Sequence, residues 1–149
     1  MHDSLVIANR FLELAHKRAN SLTPIQLLKL VYLAHGWMLG LYGRHLIKDE
    51  IQAWQYGPVI PHLYNHIRSF KGNPIEGLLV CKEDELSKQE ENVIQQVYDI
   101  YGHLSGPHLS LLTHQQGSPW EVSCQPNEFW PVISNDIIED YYQHQATVK

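Results

Sequence analysis

Residues 22–43, "LTPIQLLKLVYLAHGWMLGLYG", decide how the rest of the chain is read. Thr23 stands where an N-cap belongs, Pro24 takes the first helical position, and Gln26 completes a capping box. Leu22 and Leu27 flank that cap in the register of a hydrophobic staple. Apolar residues then fall on nearly every side as far as Tyr42, and Gly43 supplies a stop. A helix that is apolar all round belongs at the centre of a domain, covered by other elements. Gly36 and Gly40, one turn apart, cost helix propensity but let a neighbouring backbone come close. The stretch predicts the axis of a mainly α fold.

Working outward, Asp3 or Ser4 caps a first helix to about Ala19, with Ile7, Phe11, Leu14 and Ala15 forming its buried stripe. After the central helix, "HLIKDEIQAW" (45–54) switches to an extended pattern, read as a small hairpin turning at Lys48-Asp49. A helix follows from Val59 to Phe70, ended by "KGNP". "GLLVC" (77–81) reads as one more short strand. Ser87 and Glu90 form a second capping box for a helix to about Leu104, and Glu90 and Glu91 match its dipole. Ser105-Gly-Pro opens a helix through "HLSLLTHQQ", closed by Gly117. "SPWEVSCQPNEFWP" (118–131) reads as a loop, and Ser134 caps a last helix through Tyr142. The expectation is one α+β domain over residues 1–149, mainly α, with about six helices around a buried central one and a small β-hairpin.

The chain of 149 residues has the size of one domain, and its net charge of −5 argues against a general nucleic-acid binder. Cys81 and Cys124 lack any C-x-x-C spacing and read as reduced thiols, with a single bridge as the alternative. Asp3, Arg10 and Glu13 interrupt the N-terminal stretch where a secretory leader needs an apolar core. The longest apolar segment contains Lys29 and His35 and falls short of the ~20 residues that span a bilayer. A cytoplasmic, soluble protein without a membrane partner is expected.

Ten histidines invite a metal reading, and His62 and His66, one helical turn apart, form the strongest pair. No H-E-x-x-H or cysteine cluster adds a third ligand, so two surface histidines on a helix are the plainer reading. Nucleophilic catalysis needs Cys81 or Cys124 beside a histidine such as His114, or a serine elbow, and no G-x-S-x-G is present. Phosphate-cradling glycine patterns are absent, and the paired carboxylates of "KEDELSKQEE" read as an exposed face. No catalytic residue, metal or cofactor is implied. Lys29, among Leu27, Leu28, Leu30 and Val31, either snorkels at the edge of the buried helix or serves a function facing a groove.

Residues 53–64, "AWQYGPVIPHLY", read as a corner. Gly57 permits a sharp bend, Pro58 keeps Gly57 out of helical space, and Pro61 fits the first turn of the next helix. Trp54, Tyr56 and Tyr64 then pack the bend against the central helix, or present a binding surface.

From Gln26 to Tyr64, the run "QLLKLVYLAHGWMLGLYGRHLIKDEIQAWQYGPVIPHLY" resembles the Panacea-domain family, which includes SocA-like antitoxins and phage-associated GepA proteins. "HLSLLTHQQGSPW" and "ISNDIIEDYY" resemble its C-terminal marks, so the likeness spans roughly residues 5–142. The segment between Phe70 and Ser87 matches nothing in that pattern. The resemblance implies an antitoxin that neutralises a cognate toxin protein by direct binding. An adaptor delivering the toxin to a bacterial protease is the alternative, and an enzyme built on His62, His66 or His114 the more distant one. On this reading Trp54, Tyr56, Gly57 and Pro58 shape the partner groove, with Lys29 and Trp120 as further candidates.

Overall fold

The computed structural model describes residues 1–124 and 129–147. Its elements run α1 (Ser4–Lys17), α2 (Pro24–Tyr42), β1 (Gln52–Trp54), β2 (Gly57–Val59), α3 (Pro61–Ile67) with a 3-10 turn at Arg68–Phe70, α4 (Lys88–Tyr101), α5 (Gly106–Thr113), α6 (Pro119–Ser123) and α7 (Asn135–Thr147). The fold is mainly α, with a two-stranded antiparallel sheet.

The central helix forms as its sequence demands. Thr23 and Gln26 make both bonds of the capping box, and Gly43 closes the helix in left-handed conformation at φ 65°. From Leu27 to Gly36 every residue is buried, and α1, α4, α5 and α7 pack around this axis. The notch at Gly36 and Gly40 receives α7. A β-carbon on Gly36 would lie 2.5 Å from the Tyr142 ring, and one on Gly40 would lie 2.7 Å from the Tyr142 backbone. The buried side chains of all these helices join one cluster, in which each fully covered Leu, Ile or Phe is worth roughly 1.5–3 kcal/mol.

Two helix ends differ from expectation, α5 stopping at Thr113 short of Gly117 and α7 continuing past Tyr142 to Thr147, and four larger expectations are corrected. The hairpin turns at Gln55-Tyr56, with Ala53 opposite Pro58, instead of at Lys48-Asp49. The reason is that Asp49 faces the start of α1, where its carboxylate accepts from the Ser4 amide (2.9 Å) and hydroxyl (2.6 Å). Residues 46–48 correspondingly bond the backbone of His2. "GLLVC" forms no strand. The side-chain amide of Asn9 supplies the missing ladder instead, accepting from the Leu79 N–H (2.7 Å) and donating to its carbonyl (2.8 Å). The third helix starts at Pro61, because Val59 belongs to β2. The supposed loop at 118–131 contains α6, capped by Ser118 with Pro119 at its first position, which makes seven α-helices among the described residues. Residues 125–128 of that stretch lie outside the described residues.

No described helix is long and apolar enough to cross a membrane. Cys81 and Cys124 are both free thiols, and burial pushes the pKa of each upward.

Candidate functional site

The hairpin stands over the N-terminal half of α2 because Gly57 allows it to. Gly57 has φ 128°, a region closed to side chains, and is itself buried. A β-carbon there would lie 2.5 Å from Lys29 Nζ. Backbone and ammonium therefore meet at this point, and Nζ donates to the Pro58 carbonyl at 3.1 Å. Lys29 is only 4% exposed. Burial lowers its pKa to about 8, so the ammonium stays mostly charged at neutral pH. Its side chain is held under the hairpin and does not snorkel outward.

Beside this contact lies a groove of about 370 Å³, walled by Ile25, Leu28 and Lys29 of α2, Trp54, Gln55, Tyr56 and Val59 of the hairpin, Tyr64, Ser110 and Trp130. The Trp54 ring joins two of its other aromatic walls. It meets Tyr64 edge-on at 5.1 Å and Trp130 at 4.9 Å between centroids, and its Nε1 donates to Gln52 Oε1. Tyr56 sits on the turn, 75% exposed. Aromatic rings with one covered and one open face are suited to carrying binding energy.

Trp54, Tyr56 and Lys29 thus line one groove, and Gly57 and Pro58 form the backbone beneath it. Trp120 stands apart. Its Nε1 donates to the Trp54 carbonyl at 2.5 Å and its ring packs against His114, so it props β1 and lines, with Phe129 and Cys124, an adjoining depression that shares Trp54, Gln55 and Trp130 with the groove. Tyr64 was read together with Trp54 from the local bend, whereas Trp130 as a partner of Trp54 was missed. Trp130 lies 76 positions along the chain from Trp54, and its neighbour Pro131 reaches the hairpin by accepting from the Ala53 N–H.

The His62 and His66 rings meet edge-on, 5.0 Å between centroids. His66 Nδ1 bonds the His62 carbonyl at 2.9 Å, which draws one ring back to its own helix. The structure instead places Asp3 and Asp49 beside His62, with one ligand atom from each within 4.8 Å of the others. Both carboxylates already serve α1, Asp3 as its N-cap and Asp49 on Ser4. The His114 ring packs on Trp120, and its buried Nδ1 has no hydrogen-bond partner among the described residues.

All the residues walling the groove except Ile25 and Trp130 fall inside the part of the chain that a known family shares. Residues 27–121 match the family described as Antitoxin SocA-like, Panacea domain, and the chain belongs to that family. Among individual proteins, it is 28% identical over 130 residues to Antitoxin SocA of Caulobacter vibrioides (strain NA1000 / CB15N), covering 80% of this chain and 69% of that protein. No solved structure matches.

Proposed function

We propose that this protein is an antitoxin that neutralises a cognate toxin protein by binding it directly in the cytoplasm, through the groove that Trp54 lines. The observation carrying this is an aromatic-edged groove that the fold leaves open, most of whose lining, Trp54, Tyr56 and Lys29 included, lies in the segment that matches an antitoxin family. Binding rather than catalysis suits the site. Beside its tyrosine hydroxyls and indole N–H groups, its polar side chains are a lysine, a serine and a glutamine, and both thiols of the chain are pushed away from the reactive thiolate.

Co-expression with the product of the adjacent reading frame tests the reading. The frame's product alone should arrest growth, and the wild-type protein should restore it and co-purify with it. Trp54→Ala should restore growth poorly while keeping its helical circular dichroism, since truncating a central aromatic typically costs ~2 kcal/mol or more. A harmless neighbour that fails to bind would count against the antitoxin reading. Rescue accompanied by rapid loss of the toxin would identify a protease adaptor in place of a plain neutraliser.

A further inference from the structure

We propose that the groove takes a segment of the toxin in which an acidic side chain stands between apolar ones, its carboxylate pairing with Lys29. This rests on the antitoxin reading and names the chemistry of its partner. Lys29 has a covered ammonium, three donors, and a single bond to the Pro58 carbonyl. Among the described residues no carboxylate lies within ion-pair distance of it. The neighbouring Thr113 hydroxyl already donates to the Leu109 and Ser110 carbonyls.

A buried cation without an anion is a costly arrangement that an apolar side chain would relieve. Its neighbours Leu28 and Leu30 show that the surroundings would accept one. Gly57 adds to the argument. A β-carbon there would lie 2.5 Å from Nζ and 3.6 Å from Thr113 Oγ1, so the charged group occupies the place where a side chain would stand. The aromatic walls offer apolar contact on either side of the charge. The complement is an anion flanked by apolar groups.

The probes are three acetylated peptides: Leu-Trp-Glu-Leu and Leu-Trp-Gln-Leu, both C-terminally amidated, and Leu-Trp-Gln-Leu with a free carboxylate. Binding is followed by the NMR shifts of the Trp54 indole N–H in the intact protein. The glutamate peptide should bind at least about tenfold more tightly than its glutamine twin. That preference should vanish in Lys29→Met, whose folding is verified by its melt. Equal affinity of the two amidated peptides for the wild type overturns the proposal, and so does a preference that survives in Lys29→Met. If the free-carboxylate peptide alone is preferred, the side-chain assignment falls and the ligand is a chain end. These outcomes are independent of the growth assay. A toxin that is neutralised equally well by Lys29→Met sinks this inference and leaves the antitoxin reading standing.

Discussion

His35 and Lys29 lie on the same buried helix and set opposite ends of the pH response. His35 is fully buried, its Nδ1 accepting from the Leu46 and Ile47 amides while Nε2 donates to Asn135 Oδ1 at 2.8 Å. That pattern fixes the neutral ring, and burial lowers its pKa from 6.5 to about 4. The unfolded chain therefore binds a proton between those values that the native state refuses. Stability is complete above pH 6.5 and falls toward pH 4 by about 3 kcal/mol from this group. Urea midpoints at stepped pH should show the fall, and His35→Gln should be weaker at pH 7 but flatter across that window. A native protein equally stable at pH 7 and 4.5 contradicts this. Lys29 acts at the alkaline side. Its folded pKa of about 8 lies below the unfolded 10.5, so stability rises with pH between them, again by about 3 kcal/mol. Lys29→Met should flatten that rise and melt higher than wild type at pH 7; a lower melting point would show that the Pro58 bond outweighs the buried charge. From sequence, His35 was only an interruption in an apolar run. Its partners lie 11, 12 and 100 positions away, and no local pattern points to them.

Elements were legible where their signal is local. Thr23-Pro24 with Gln26, Ser87 with Glu90, and Ser105 all cap helices as read, because a cap involves residues within one turn. Pairing across the chain was not legible: the hairpin register depended on Asp49 being claimed by α1, and the 77–81 segment on Asn9. The α2–α7 contact is the intermediate case, since Gly36 and Gly40 announced a close approach without naming the partner. Alanine at Gly40 gains helix propensity of roughly 1 kcal/mol but places a carbon 2.7 Å from α7 backbone, which cannot rotate away. Gly40→Ala should therefore be destabilising by about 1–3 kcal/mol net, read from urea denaturation. A stabilised variant would mean that α7 sits further off. Gly57→Ala meets both a forbidden φ and the Lys29 ammonium, so a loss of roughly 1 kcal/mol or more is expected, together with weaker binding at the proposed groove. An unchanged melt would remove the strained corner.

At the scale of the molecule, the groove and the core depend on the same long-range closure. The site residues near one another in sequence, from Trp54 to Pro58, were found from a local bend. Lys29 was found from its odd place in an apolar helix, while Trp130 needed the C-terminal chain folded back on β1. The helix α7 lies beyond the segment matched to the family, yet it covers α2 directly. Cutting the chain after Ser134 removes Ile138 and Tyr142 from the core, a loss of roughly 3–6 kcal/mol in burial. It also takes Asn135 from His35, and an unsatisfied buried ring nitrogen costs about 1–3 kcal/mol more. Together these approach the whole stability of an ordinary domain, about 5–15 kcal/mol. Residues 1–134 alone should therefore give no cooperative melt, whereas the intact chain should unfold in one transition seen alike by circular dichroism and Trp fluorescence. A truncated chain that melts cooperatively would make α7 a separable cover. Two transitions in the intact chain would end the expectation of one folding unit.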